Sequence, residues 1–209
     1  MVDVSPARAR REREKNAQRQ AILEAAQQIA ASEGWPAVTT RKVAERIAYS
    51  HPTLYEHFPS KHALLVEINR SGYQQLLGVL QEARNKHPKD LVEAARTMAQ
   101  AYCNFAWQHR ELYEVMHGLS GAAIDPDSYK QEGLAIIAEA RGVIEAWAKG
   151  EKVKVCNADD AVLILWSTLH GIASLALNKQ MIGGKKHAAE LATRAVDDLF
   201  AAWRAAKCV

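Results

Sequence analysis

Residues 39 to 64 read TTRKVAERIAYSHPTLYEHFPSKHAL, and their spacing predicts two short helices around a tight turn, with a third helix beginning at the end. Thr39 or Thr40 supplies a side-chain oxygen to cap the first helix, and Val43, Ala44 and Ile47 then share one face at helical spacing. Arg41, Lys42, Glu45 and Arg46 take the opposite face. The periodicity breaks at Ala48-Tyr49. Ser50 is placed to cap a second helix whose first turn holds His51 and Pro52, where a proline's missing N–H is harmless. Leu54 and Phe58, four apart, dock that helix and leave His51, Thr53, Tyr55 and His57 available on the outside. Pro59 ends it, and Ser60 caps a helix that continues through Leu64, Leu65 and Ile68.

Two helices joined by a few residues, the second with a polar and aromatic outer face, have the helix-turn-helix geometry that places a recognition helix in the DNA major groove. The same pairing also occurs purely for packing in all-helical proteins. The segment before it, RQAILEAAQQIAASEGW (19–35), predicts an amphipathic helix with Ile22, Ala25, Ala26, Ile29 and Ala30 on one face and Gly34 at its C-terminal cap. Three helices then close one small core. Ahead of them Arg8, Arg10, Arg11, Arg13 and Lys15 stand against Glu12 and Glu14. Residues 1–15 are read as a flexible basic arm that wraps DNA or enters the minor groove, against the plainer reading of a solvated, frayed terminus.

These residues together resemble the N-terminal DNA-binding domain of the TetR family of bacterial transcriptional regulators. The likeness covers residues 16–68, and LYEHFPSKHAL is its most specific part. It implies a homodimer, a divergent C-terminal helical domain that binds an effector, and release of the operator when the effector binds. It also implies that Thr40 and Arg41 touch phosphate at the start of the second helix and that Lys61 meets phosphate from the start of the fourth. Ser50, His51, Pro52, Thr53, Tyr55 and His57 would lie on or beside the recognition helix. Where the family commonly has Gly-Val-Ser-x-Gly, this chain has Ala48-Tyr49-Ser50-His51-Pro52, which changes what approaches the DNA.

The charge distribution suits a small basic module on a larger neutral one. Residues 1–70 carry 11 Lys and Arg against 8 Asp and Glu, so the whole excess of +3 lies in the first third of the 209 residues. Cys103, Cys156 and Cys208 are odd in number and lack metal-ligand spacing, which argues for a reducing compartment and against a disulfide framework. Neither a metal nor a cofactor is expected. The N-terminus has no apolar signal region, and a cytoplasmic, bacterial location follows. The most apolar run, from Ala161 to Leu177, is shorter than the roughly 20 residues of a membrane span, so it reads as a buried helix with no membrane role.

Beyond residue 70 almost everything reads as helix: about Ser60 to Lys86, Lys89 to His109, Glu111 to Leu119, Ser128 to Lys149, Asn157 onward and Lys185 to Ala206. Gly118 to Asp127 reads as a loop. The expected fold is all-α with about nine helices: the three-helix DNA-binding domain (16–68) and a larger helical domain (69–209) for effector binding and dimerisation. The last two helices are expected to pair with their copies across a two-fold axis, through Leu169 and Ile172 on one and Leu191, Ala195, Leu199 and Trp203 on the other. Trp166, His170 and Gly171 resemble the Trp-x3-His-Gly signature of one TetR C-terminal domain type, and Gly171 would permit close helix approach. Aromatic and methionine side chains with polar tips, namely Met98, Tyr102, Phe105, Tyr113, Met116, His117, Trp147, Trp166 and His170, are candidates to line a site for an apolar or aromatic small molecule; the same set also serves simply as core.

The expected activity is therefore ligand-responsive, sequence-specific regulation of transcription, with repression by a dimer on a palindromic double-stranded operator. A helical adaptor that binds protein, or an activator, are the alternatives. A helical enzyme with His117 or His170 as base finds no nucleophile, base and orienting carboxylate at an interpretable spacing.

Overall fold

The computed structural model describes residues 6–119 and 124–205. Among them nine α-helices and two short 3-10 turns follow one another with no strand. They are α1 (Pro6–Glu33), a turn at Trp35–Ala37, α2 (Thr40–Arg46), α3 (His51–His57), α4 (Lys61–Asn85), α5 (Leu91–Gln108), α6 (Arg110–Met116), a turn at Pro126–Tyr129, α7 (Lys130–Glu151), α8 (Ala158–Leu177) and α9 (Gly184–Ala205).

Side-chain caps divide the first third. Thr39, rather than Thr40, accepts the Lys42 N–H at 3.2 Å. Ser50 accepts that of Thr53 at 3.2 Å, and Ser60 that of Ala63 at 3.0 Å. Each such cap satisfies one orphan helix donor and contributes about 1 kcal/mol. Gly34 closes α1 at φ 81°, with its N–H on the Ala30 carbonyl at 2.8 Å. Between α2 and α3 the chain reverses at Ala48, whose φ of 55° lies in the left-handed region.

That conformation costs an L-residue roughly 1–2 kcal/mol, whereas glycine adopts it freely and loses about 0.5–1 kcal/mol in added chain entropy. Ala48→Gly is therefore expected to raise the calorimetric Tm by about 2 °C. An unchanged or lower Tm would contradict the strain.

The N-terminal arm differs from the expectation. Residues 6–15 are helical and form the first turns of α1, with Pro6 as its first residue and Arg10 paired to Glu14 at 2.8 Å one turn on. Alanine, arginine and glutamate are all good helix formers, so the run extends the helix that follows it. Residues 1–5 lie outside the described residues, as do 120–123 within the expected loop and 206–209 at the end of the last helix.

One continuous buried cluster joins the two expected domains, running from Ile22, Leu54 and Phe58 through Ile68 and Leu76 to Tyr113, Ile144 and Phe200. The expected boundary at residue 68 falls inside the unbroken α4. That helix supplies Leu64 and Ile68 to the first module and Leu76 and Leu80 to the second.

The apolar run noted in the sequence forms part of a 20-residue helix, α8, with Asn157 accepting the Asp159 N–H at 3.0 Å at its start. By length and composition alone α8 is sufficient to cross a membrane, more than the expected count allowed. Its two sides differ. Val162, Leu169, Ala173 and Ala176 are buried, while Ile164 is 49% and Leu175 45% exposed on the other side. Gly171 stands between those two, and nothing lies within 4 Å of where its Cβ would be.

In α9 the residues turned fully inward are Ala188, Ala192, Val196 and Phe200. The expected interface stripe of Leu191, Ala195, Leu199 and Trp203 lies beside them and is half-buried within its own chain. Leu169 also differs from its expected role, being buried against the interior. Of the cysteines, Cys103 is free and buried, but Cys156 is disulfide-bonded, which corrects the expectation of no disulfide.

Candidate nucleic-acid interface and inner cavities

The capped turn sets α3 across the end of α2 and brings three of the expected residues onto one surface. His51 Nε2 lies 3.2 Å from Thr40 Oγ1, and its ring meets Tyr55 edge-on at 4.8 Å. Tyr55 is 43% exposed although it stands in a small, well-packed module. Ser50 and Pro52 are also exposed, and the Thr53 hydroxyl is held 2.7 Å from that of Ser50. Arg41 is exposed beside them. Its ion pair with Glu45, at 2.9 Å, keeps the guanidinium above its ordinary pKa through a hydrogen bond and charge attraction. Fully exposed pairs of this kind hold little free energy, so Arg41 remains available to a phosphate.

Lys61 is half-buried at the start of α4 and donates to the Trp35 carbonyl at 3.3 Å. His57 differs from the expectation. It turns toward α1, with Nε2 3.2 Å from Gln18 Oε1, because two residues beyond Tyr55 is about 200° around the helix. Arg19 secures the same corner. It donates to the His57 carbonyl at 3.3 Å, pairs with Glu67 at 3.0 Å and lies over the Phe58 ring at 4.4 Å.

Two of the hollows in the second module are partly open to solvent and take in candidate residues. The smaller, of about 70 Å³, lies among α4, α5, α7 and α8 and is almost wholly apolar. Met98, Tyr102 and Trp166 line it, together with Leu80, Ile136, Ile137, Leu165 and Leu169. The larger, of about 470 Å³, carries polar groups: Asn69 and Tyr73 of α4, His117 just after α6, Tyr129, and His170 of α8, with Met116 in the same wall. Trp166 lines both.

A run of polar groups separates them. The Tyr102 and Tyr113 hydroxyls are 3.1 Å apart, Tyr113 is 2.6 Å from His170 Nδ1, and His170 Nε2 is 3.4 Å from Ser174 Oγ. Tyr113 is fully buried in this run and lines neither cavity. Burial pushes its phenol up to about 12. Phe105 and Trp147, also expected at the site, line neither cavity; Trp147 instead packs its ring 4.5 Å from Phe200.

Burial, followed by repulsion from His170, lowers His117 to about 3, and burial also lowers His170. Tyr73, Tyr113, Trp166 and His170 surround the His117 ring, so no carboxylate among these contacts favours its charge. The unfolded chain takes up a proton at His117 below pH 6.5 while the folded chain does not, so stability falls as pH drops from about 6.5 towards 3. The slope approaches 1.4 kcal/mol per pH unit for this group. Chemical denaturation between pH 7 and 5 is expected to show this loss, and His117→Gln is expected to reduce it. Identical pH profiles for the two proteins would contradict the assignment.

Sequence reasoning missed Trp35, Asn69 and Tyr73. All three bind carbonyls of α6: Trp35 Nε1–H donates to Glu111 at 2.9 Å, Asn69 Nδ2–H to Val115 at 3.3 Å, and the Tyr73 hydroxyl to Met116 at 3.2 Å. Gly72 lets the helices meet, since a Cβ there would lie 2.6 Å from Met116 Sδ. The available signal was Asn69 itself, a polar residue within the stripe Leu65, Ile68, Gly72 and Leu76. Together these contacts link the larger cavity to the helix that enters the first module.

Residues 22–68 match the family model described as bacterial regulatory proteins, tetR family, and residues 95–199 match the tetracyclin repressor-like C-terminal domain. The chain belongs to the TetR family. It is 24% identical over 184 residues to the HTH-type transcriptional regulator RutR of Escherichia coli K12, covering 84% of this chain and 82% of RutR. In structure it resembles a protein of unknown function from Rhodococcus, at a TM-score of 0.79 and 25% identity over 89% of this chain and 95% of that one. The regulator FadR from Bacillus subtilis, solved with stearoyl-CoA, has the same fold at a TM-score of 0.71 and 14% identity, covering 86% and 96% of the two chains.

TetR membership makes this protein a DNA-binding transcriptional regulator with its helix-turn-helix in α2 and α3. The left-handed Ala48 occupies the first position of the turn where the family commonly has glycine.

Proposed function

We propose that the protein is a dimeric, ligand-responsive repressor, cytoplasmic like the DNA it binds, which grips a palindromic operator through α3 of each subunit. The observation that carries this reading is the surface where exposed His51 and Tyr55 meet half-buried Thr40, on a helix whose other side packs inward through Leu54 and Phe58. Ser50, Pro52 and Thr53 would meet bases or the adjacent backbone, and Arg41 and Lys61 would meet phosphate. His57 would act by seating α3 on α1. The exposed side of α8, with Ile164 and Leu175 around Gly171, supports pairing with a second copy, and the edge of α9 at Leu191 and Ala195 would complete the interface.

Effector binding in the inner cavities would shift α4, which reaches from Leu80 in the cavity wall to Lys61 beside the DNA. A ligand changes DNA affinity only if it binds the released arrangement more tightly than the DNA-bound one. FadR, with its bound stearoyl-CoA, supports the view that this fold can enclose a small molecule.

Binding to operator and to unrelated duplexes at several salt concentrations tests the division of labour. Lys61→Ala is expected to weaken both equally and to reduce the salt slope by about one counterion, while His51→Ala changes sequence preference. Unaltered DNA binding by Lys61→Ala would remove its phosphate role.

A further inference from the structure

The two cavities have opposite chemistry and share one wall residue, Trp166. The smaller one offers a ligand only apolar contacts, such as Met98, Ile137 and Leu165. In the wall of the larger one, two buried polar atoms have no hydrogen-bond partner: Asn69 Oδ1 and His117 Nε2. Asn69 is 1% exposed, and its Nδ2–H is already committed to Val115, so its free atom can only accept. His117 Nε2 takes either role according to tautomer. Unpaired buried atoms of this kind cost stability that a ligand's hydrogen bond returns.

Charge narrows the ligand class further. Among the described residues, no Asp, Glu, Lys or Arg lines either cavity. An ionised head group would leave water for a site with no counter-charge, which is unfavourable. A hydroxyl or carboxamide can donate to Asn69 and bond His117 without that cost.

Resting on the effector reading above, we propose that the ligand is an uncharged amphipathic molecule whose hydroxyl or carboxamide end is bound by Asn69 and His117 in the larger cavity and whose short apolar body lies against Met116, Ile124 and Trp166 of the same cavity. The head group then engages the side chain that also holds the Val115 carbonyl. Ligand chemistry is thereby coupled to the contact between α4 and α6.

Calorimetric titration of the full-length protein with 1-hexanol, hexanamide, hexanoate and hexylammonium tests this, because the four probes share one apolar body. Hexanol and hexanamide are expected to bind at one site per subunit at least tenfold more tightly than either ion. Asn69→Leu and His117→Phe, each confirmed folded by thermal melting, are expected to remove that preference. Tighter binding of hexanoate or hexylammonium, no binding of any probe, or an unaltered preference in both variants would overturn the proposal. Release of a selected operator duplex is read separately. Neutral probes that bind without releasing it would contradict the repressor reading and leave the ligand class standing.

Discussion

Ile164→Glu is expected to yield a monomer whose operator affinity is at least about a hundredfold lower, the factor that linking two weak half-site contacts ordinarily supplies. Ile164 is 49% exposed on α8, one face of which already packs into the core through Val162, Leu169 and Ala173. Its outer face adds Leu175, and at Gly171 a second helix can approach without meeting a side chain. A glutamate at the centre of that contact would be buried without a partner in the dimer, whereas at a position already 49% exposed it keeps its water in the monomer, so it opposes association more than folding. Sedimentation would show the monomer and a duplex titration the lost affinity, with the melting profile reporting an intact subunit. A variant that remained dimeric would place the subunit contact elsewhere.

The second large effect is expected within the reading module. Phe58 is 1% exposed, terminates α3 and lies under the Arg19 guanidinium. Truncation to alanine removes a ring packed among Ile22, Leu54 and Leu64 and costs about 3–5 kcal/mol. Phe58 is the side chain at the end of α3 that packs against the Arg19 corner of α1, so its loss should free α3 from its seat on α1. Phe58→Ala is expected to abolish specific DNA binding at 37 °C, whereas the helices from α5 onward keep their circular dichroism and their subunit contact. Binding within threefold of the parent protein would show that Phe58 does not hold α3 in place.

The helix-turn-helix was legible because its signals are local. Thr39, Ser50 and Ser60 mark helix starts through atoms only three residues away, and Leu54 and Phe58 mark the docking face by their spacing. The inner site was less legible, since aromatic and methionine residues at helical spacing fit core and cavity alike. Tyr102 and Trp166 reached a cavity, while Phe105 and Trp147 filled the interior. Which residue meets open space depends on the crossing of α4, α5, α7 and α8, and no single helix encodes that. Periodicity placed α9's apolar stripe one residue away from its buried face, because the stripe spans both the inward side and its edge. The helical N-terminal segment illustrates the opposite limit: its charges suggested an arm, but the helix propensity of Ala, Arg and Glu decided its conformation.

Selection of bound duplexes from a random-sequence library by the purified protein gives the most direct test of the function assigned to α3 and to the dimer. The expected product is one enriched sequence with two inverted half-sites, and its base preference changes with His51→Ala. Enrichment of no sequence, or of a single half-site without symmetry, would contradict a two-fold protein reading DNA through paired recognition helices.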